Sequence, residues 1–180
     1  GVVNSSDYTV IGHGLPKNTG GFSNNFRYKG FDLNVFFQWS YGNDILNANR
    51  ILFEGNTKNL SYFNQYASYE NRWTPENSNS DIFRTKGFFG GGYSSQFVED
   101  GSYLRLKTVS LGYNLDSNFL RKFHLKSMRL YCSGQNLATW TNYSGGDPEV
   151  NTYNSALTSG FDFSAYPRAR IISFGTNITF

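Results

Sequence analysis

The sequence predicts an all-β chain that forms one antiparallel wedge of a transmembrane β-barrel, and three observations support this prediction. Apolar and polar residues alternate with a period of two in five segments. Aromatic residues make up 18% of the 180 residues although hydrophobic residues make up only 38%, a bias typical of strands whose rings meet an interface. The connections between segments alternate between short and long, as they do in outer-membrane barrels.

The first two predicted strands span residues about 21–28 and 31–40 and form a hairpin. In the second strand the odd positions from Phe31 onward are apolar and the even ones polar, with Phe36 as the single exception. The first strand also has its aromatic residues on one face. Because a two-residue loop separates the strands, Tyr28 is predicted to pair with Phe31, so that both aromatic faces lie on the same side.

Three further strands are predicted over residues about 102–114, 127–138 and 169–180. The alternation is regular except in the first half of the segment 102–114, where Arg105 and Lys107 share a face with apolar residues. Either this half stands above the apolar zone, or a β-bulge shifts its register.

The connections predict which ends of the strands lie on which side of a membrane. Long segments, residues about 41–101 and 139–167, follow the second and fourth strands, and short turns follow the first and third. Since outer-membrane barrels have short periplasmic turns and long external loops, we interpret the two long segments as external loops. At the level of the short turns, four aromatic residues predict one arc of an interfacial girdle: Tyr28, Phe31, Tyr113 and Phe180.

The apolar faces are predicted to contact the lipid bilayer and the polar faces to line a water-filled interior. The residues predicted to hold water there, or to hydrogen-bond a plug, are Asp32, Asn34, Gln38, Arg129, Ser133, Gln135 and Asn177. Five strands leave open edges, which lipid does not tolerate, so we expect further barrel strands in the same polypeptide or in another chain. The chain opens on Gly1 without a start Met, and we expect that an N-terminal part precedes it.

A soluble β-sandwich that binds carbohydrate is the alternative interpretation of the same pattern. In that case two sheets bury their aromatic faces against each other, and residues such as Phe37, Phe174 and Ile178 lie in a core. The strand lengths near ten residues favour the membrane interpretation, because strands of that length cross a bilayer at a tilt.

Charge and residue types argue against several other classes of protein. The net charge of +3 is small and scattered, so nothing indicates a nucleic-acid partner. The single Cys132 excludes a disulfide framework and a multi-cysteine metal site. His13 and His124 are isolated and no nucleophile–base set stands out, so we predict no enzymatic activity, no catalytic residues and no cofactor. Asp147 and Glu149 are too few for a cation site and are interpreted as a turn with solvated charges.

Five motifs follow one another over nearly the whole chain: GGFSNNFRYKGFDLNVFFQWSYGNDI, NRWTPENSNSDIFR, SSQFVEDGSYLRLKTVSLGYNL, RLYCSGQNLATWTNYSGGDPEV and AYPRARIISFGTNITF. Together, and at these spacings, they resemble the C-terminal end of SusC/RagA-like TonB-dependent transporters, which are outer-membrane importers of Bacteroidetes. The resemblance implies a barrel of about 22 strands, plugged by an N-terminal domain that has no counterpart in this chain.

The same resemblance implies partners and a cargo. It implies a SusD-like surface lipoprotein as a lid, energy from the TonB complex through the absent N-terminal part, and uptake of glycans or peptides. The terminal strand, with Phe174, Ile178 and Phe180 at two-residue spacings, resembles an assembly signal read by the barrel-assembly machinery. These residues are also predicted to face lipid, and both roles are compatible.

Aromatic residues in the two long segments are candidates for contact with a substrate or with the lid, because an exposed ring offers a broad apolar face. They are Tyr69, Trp73, Trp140 and Tyr143. For Tyr69 and Trp73 the alternative, which we favour, is that the rings pack between loops or against the lid protein. Residues 60–71 are predicted to form a short helix, and the glycine-rich run 87–95 lacks the ending of a phosphate-binding loop.

Overall fold

The computed structural model describes residues 4–54, 63–84, 93–153 and 155–180. The chain divides into two compact units, which we call the sheet unit and the loop unit. The sheet unit comprises Lys17–Tyr41, Ser102–Asn142 and Pro167–Phe180, and the loop unit comprises Gly1–Pro16, Gly42–Gly101 and Tyr143–Tyr166.

Strands make up most of the regular structure in the described ranges. In chain order the strands are β1 (Asn18–Tyr28), β2 (Phe31–Tyr41), β3 (Asp44–Asn47), β4 (Val98–Asp100), β5 (Tyr103–Asn114), β6 (Ser127–Thr141), β7 (Phe161–Asp162) and β8 (Ile171–Thr179), and the helices are α1 (Ala48–Phe53) and α2 (Ser117–Arg121). Short 3-10 helices lie at Ser5–Asp7, Ala67–Asn71, Ser95–Phe97 and Ala156–Thr158.

The sheet unit is one five-stranded antiparallel sheet with the order β1-β2-β5-β6-β8. The outer edges of this sheet belong to β1 and β8. The predicted pairing of Tyr28 with Phe31 is confirmed. Paired residues lie on the same face of a sheet, so the aromatic faces of β1 and β2 form one continuous surface.

A bulge in β5 explains why its first half does not fit the alternation. The β5 partners of Phe36 and Phe37 are Thr108 and Leu106, so Lys107 is an extra residue. Past this bulge Leu104 and Leu106 lie on the apolar face, and Arg105 lies on the polar face opposite Gln38. Of the two alternatives that the sequence left open, the register shift is the correct one.

Two strands extend clearly further at the long-loop end than the sequence predicted. β1 begins at Asn18 rather than about residue 21, and β6 continues to Thr141 rather than ending about residue 138. The cause in β6 is an irregularity opposite the β5 bulge, where Asn136 has a φ of 52°. This irregularity interrupts the period of two, and the strand resumes beyond it.

The turn between β5 and β6 is closed by a Schellman motif. The Leu125 N–H donates to the Leu120 carbonyl (3.2 Å) and the His124 N–H donates to the Arg121 carbonyl (3.1 Å). His124 has a φ of 57°, the left-handed conformation that this motif requires at its C′ position. The isolated histidine of the sequence therefore has a backbone role in the turn.

The loop unit has its own small sheet and core, which the sequence analysis missed. The sheet has the order β4-β3-β7, with β3 antiparallel to β4 and parallel to β7. Strands this short give no period-two signal, so both segments were predicted as loops. The core of the loop unit consists of Ala48, Ile51 and Phe97, with Leu46, Phe83 and Phe161 packed against it.

The predicted helix over residues 60–71 is only partly within the described residues. In the described part, 63–71, regular structure is limited to the 3-10 helix Ala67–Asn71, so the predicted short helix does not extend over residues 63–66. Most of the run 87–95 lies outside the described residues. No helix in the described ranges is long and apolar enough to span a bilayer.

Candidate functional site

The apolar face of the five-stranded sheet is uncovered. Several of its large residues are exposed, with 79% of Phe174, 48% of Phe22 and 43% of Ile178 accessible, and Phe37 is half-buried. Neighbouring rings pack along the face, and the rings of Phe22 and Phe37 are stacked with centroids 5.2 Å apart. A β-sandwich requires these residues in a core between two sheets, so the burial pattern contradicts that alternative.

The predicted aromatic girdle falls partly into one hydrogen-bonded row. Tyr28, Phe31 and Tyr113 are paired directly across β1, β2 and β5, and the rings of Phe31 and Tyr113 are 4.5 Å apart. The row continues through Leu130 to Thr176 on β8, so the fourth predicted member, Phe180, lies four positions further along the chain. The role of all four residues at a membrane interface remains a prediction.

A second row at the opposite end of the same face was missed by the sequence analysis. Trp39, Leu104 and Trp140 are paired across β2, β5 and β6. The Trp39 indole N–H donates to the side chain of Asn18 at 2.9 Å. Trp140, predicted as a loop residue, lies inside β6 and is 53% exposed on the apolar face.

The two rows bracket a band of a definite height. They are eight residues apart on β2, from Phe31 to Trp39, which at about 3.3 Å per residue and a strand tilt of about 40° is roughly 20 Å along a membrane normal. Transmembrane barrels have an apolar band about 25 Å tall between two aromatic girdles. The dimensions of the uncovered face therefore match the dimensions of a bilayer.

The opposite face of the sheet is polar and its side chains are bonded to one another. The Asn34 amide donates to Ser23 (3.0 Å) and to Asn25 (2.8 Å). Arg129 on β6 reaches across β5 and binds the Asp32 carboxylate on β2 with two hydrogen bonds of 3.1 and 2.5 Å.

The ion pair occupies the space that a side chain at Gly112, between the two strands, would fill. A Cβ at Gly112 would lie 2.3 Å from an Arg129 guanidinium nitrogen and 2.6 Å from an Asp32 oxygen. Asp32 and Arg129 lie on β2 and β6, and they meet across β5 because Gly112 has no side chain. The ion pair therefore joins strands that are not neighbours and cannot be predicted from neighbouring strands alone.

Glu99 is the centre of a partly buried polar network in the loop unit. Its carboxylate accepts hydrogen bonds from the Ser144 N–H and hydroxyl (both 2.8 Å), from Asn47 (3.1 Å) and from Arg50 (3.1 Å). Burial by itself raises the pKa of Glu99, but these hydrogen bonds outweigh burial and hold that pKa below its ordinary value. The network joins β4 to two distant segments of the chain.

Tyr143, predicted as a contact for substrate or lid, is buried instead. Only 5% of it is accessible, and its hydroxyl donates to Asp162 at 2.5 Å. Burial, together with the Asp162 carboxylate, raises the pKa of Tyr143. A ring enclosed in this way has no free face for a ligand, so this prediction is wrong as far as direct contact is concerned.

The other two predicted loop aromatics are held by local contacts. Tyr69 is half-buried, and the Arg72 guanidinium lies 5.2 Å from its ring centroid. Trp73 is 37% exposed, and its backbone N–H donates to Ile82 at 2.8 Å. These contacts do not distinguish between binding and packing between loops, and a role for either ring in binding remains a prediction.

A cavity of about 350 Å³ lies in the loop unit and contains none of the four predicted aromatics. Its lining includes Tyr93 and Tyr153, which are 71% and 63% exposed, together with Asp44 and His13. One face of Tyr153 is stacked on Phe161, with centroids 5.4 Å apart. The volume is within the range of small-molecule pockets.

Nothing in the described ranges indicates a metal centre, since no group of three or more His, Cys, Asp or Glu side chains could hold an ion there. The Asp147 carboxylate accepts the Glu149 N–H at 2.9 Å, which is the predicted turn. Asp147 is buried, however, and is not the solvated charge that the sequence suggested.

Comparison with known proteins places this geometry in a class. No family model matches the chain. It is 41% identical over its whole length to TonB-dependent receptor P3 of Formosa agariphila, covering 18% of that protein. It is 26% identical over 89% of its length to TonB-dependent receptor SusC of Bacteroides thetaiotaomicron, covering 15% of it. The chain thus spans about a fifth of the relatives that it matches.

Solved structures give the same result. The RagAB peptide importer in its 'closed-closed' state matches with a TM-score of 0.81 and 26% identity over 99% of this chain and 19% of that chain. The 'open-open' state matches with a TM-score of 0.79 and 28% identity, over 92% of this chain and 17% of that chain.

The sheet, its uncovered face and these matches define the chain as a segment of a larger β-barrel. More particularly, the chain is a homologue of one segment of the SusC/RagA-like TonB-dependent receptors, and the resemblance predicted from its motifs is confirmed.

Proposed function

We propose that the chain is part of the barrel wall of an outer-membrane nutrient importer that depends on TonB. In this proposal the apolar face of the sheet unit contacts the lipid bilayer and the polar face lines the interior. The observation that supports it most directly is a sheet with one uncovered apolar face, one hydrogen-bonded polar face and two open edges. Open edges in lipid require further strands, which the rest of the barrel supplies.

The proposal includes partners and a class of cargo. The relatives are named TonB-dependent receptors, and the matched structures are of a peptide importer named RagAB. On that basis we propose a SusD-like surface lipoprotein as lid, energy from the TonB complex through another part of the protein, a plug within the barrel, and glycans or peptides as cargo. The loop unit then forms part of the external surface, where the lid and the cargo arrive.

Two residue-level roles belong to the same proposal. Phe174, Ile178 and Phe180 act as an assembly signal for the barrel-assembly machinery, in line with the long exposed edge strand on which Phe174 and Ile178 lie. Tyr69 and Trp73 contact the lid or the cargo.

The orientation of the sheet is tested by photo-crosslinking in the full-length protein in its native outer membrane. A benzoylphenylalanine at Phe174 is expected to form adducts with lipid acyl chains. The same probe at Ser173, the preceding residue, is the matched control and is expected to give no lipid adducts because it lies on the polar face. Equal lipid labelling at both positions, or lipid labelling at Ser173 alone, contradicts the proposal.

Transport itself is tested in cells. Deletion of the gene is expected to abolish uptake of labelled oligosaccharides or peptides, and a protonophore is expected to have the same effect on the wild type. If uptake of both cargo classes is unchanged by the deletion, the importer role is wrong even where the barrel orientation holds.

A further inference from the structure

The turn between β5 and β6, residues 115–126, presents two aromatic rings to the outside of the molecule. Phe119 and Phe123 are 52% and 60% exposed. Their ring centroids are 5.3 Å apart, so they form one apolar patch. Exposed phenylalanine pairs are unusual on surfaces that meet only water, and they indicate a surface that is covered in the working protein.

The turn holds this patch in a fixed conformation. Leu120, between the two rings in sequence, is only 1% exposed and anchors the turn from inside. The Schellman motif closed by His124 and Leu125 ends the short helix immediately after the patch. The rings are therefore presented by a well-defined backbone, and both are exposed.

Cations surround the patch. Arg121, Lys122 and Lys126 are all exposed, and Asp116 is the only acidic residue in residues 115–126. Aromatic residues next to Lys and Arg are typical of segments that lie in a bilayer interface, because the rings enter the headgroup region while the cations bind anionic headgroups.

The patch lies at the end of the sheet where the first aromatic row lies. β5 ends at Asn114, one residue after Tyr113 of that row. The β1–β2 turn at this end repeats the combination, since Lys29 lies 5.2 Å from the ring of Tyr28. At this end of the sheet the strands that carry the apolar face assigned to lipid are therefore followed by aromatic and basic residues of the turns, and this position favours a lipid headgroup layer as the occupant.

We propose that the β5–β6 turn is a membrane-surface anchor, in which Phe119 and Phe123 insert among phospholipid headgroups and Arg121, Lys122 and Lys126 bind anionic phosphates. This inference rests on the proposed membrane orientation of the sheet unit. It adds a contact outside the barrel wall, on the leaflet at the short-turn end, that holds the protein at a fixed depth.

The test uses the full-length protein in nanodiscs, with benzoylphenylalanine in place of Phe123. In nanodiscs of phosphatidylcholine with phosphatidylglycerol, phospholipid adducts at this position are expected, with phosphatidylglycerol enriched over its share of the lipid. The matched control is the same probe at Phe163, an exposed phenylalanine of the loop unit, where no enrichment is expected. Adducts only with protein, including a second copy of the chain, or no adducts at all, overturn the proposal.

The role of the cations is tested by charge reversal. Each Lys or Arg near an anionic surface contributes about fivefold in binding, so R121E/K122E/K126E is expected to reduce the phosphatidylglycerol enrichment at least fivefold, to the level of the bulk lipid. The variant that carries the probe at Phe123 and retains the wild-type cations tests the anchor by itself, so the inference stays falsifiable even if the triple variant does not assemble. Undiminished enrichment in an assembled triple variant overturns the role of the cations.

The Phe174 probe separates this inference from the proposed function. Lipid adducts at Phe174 without adducts at Phe123 mean that the barrel orientation holds and the anchor does not. Absence of lipid adducts at both positions means that the orientation itself is wrong.

Discussion

The sheet unit and the loop unit are built on opposite principles. In the loop unit, Ile45, Ile51 and Phe97 are buried and polar groups such as Glu99 are enclosed by hydrogen bonds, as in a water-soluble domain. In the sheet unit, large apolar residues such as Phe22, Phe26 and Phe174 are exposed on one face, and the hydrogen-bonded polar side chains lie on the other face. The two units therefore have different patterns of burial, each suited to a different solvent.

Charge separates the two units as sharply as burial does. The sheet unit has eleven Lys and Arg but only two Asp and Glu. The loop unit has five Lys and Arg and eleven Asp and Glu. The small net charge of +3 is therefore the sum of a positive charge on the sheet unit and a negative charge on the loop unit, and it describes neither unit by itself. A basic barrel wall is suited to anionic lipid headgroups, and an acidic loop unit is not.

A single charge on the apolar face is expected to have the largest effect. Val109 lies midway between the two aromatic rows, and Val109→Arg is predicted to destabilise the protein in a bilayer by about 2–4 kcal/mol. The adjacent Ser110→Arg, on the polar face, is the matched control and is expected to cost far less. Urea unfolding of the full-length protein in lipid vesicles measures both, and equal losses would mean that the two faces do not differ in solvent.

Loss of the carboxylate at the centre of the loop unit is expected to be next in size. Glu99→Gln removes the charge that Arg50 and Ser144 bind, which costs about 1–3 kcal/mol for hydrogen bonds to a charged group. Faster hydrogen exchange is expected at the backbone amides of β3 and β4, without change in β5 or β6. Glu70→Gln, at an exposed glutamate in the same unit, is the control. Faster exchange in β5 and β6 as well would contradict the separation of the two units.

The same carboxylate predicts a pH dependence that is specific to the loop unit. The pKa of Glu99 is below its ordinary value of 4.5, so Glu99 stabilises the folded unit fully above about pH 4.5, and this contribution is lost as the pH falls through the lowered pKa. In the wild type the protection factors of the β3 and β4 amides, which correct for the slower intrinsic exchange in acid, are expected to fall as the pH is lowered. The acid effect should be smaller in Glu99→Gln, and identical profiles would rule out Glu99 as its source.

The smallest effect is expected in the β5–β6 turn. His124→Gly relieves a left-handed conformation that only glycine adopts without cost, so it is predicted to stabilise the turn by up to about 1 kcal/mol. Lys122→Gly, two residues earlier, has no such strain to relieve and is expected to destabilise it. Hydrogen exchange of Leu120 and Leu125 reports both variants. Destabilisation by His124→Gly would show that the imidazole, and not the backbone, is what matters there.

The sequence by itself determined the strands of the barrel wall, their two faces and the tight pairing of Tyr28 with Phe31. These features depend on alternation within about ten residues and on a two-residue turn, so they can be read locally. For Arg105 and Lys107 the sequence left two alternatives open, a β-bulge or a position above the apolar zone, and one of them was correct.

Only the tertiary structure showed that a β-bulge accommodates Arg105 and Lys107. It also showed that Trp140 lies on the apolar face and that Tyr143 is buried. It also assembled Glu99, Arg50 and Ser144, which lie far apart along the chain. The physical reason is the range of the interactions: a strand face repeats every second residue, whereas a bulge, a short strand and a buried network depend on partners that only folding brings together.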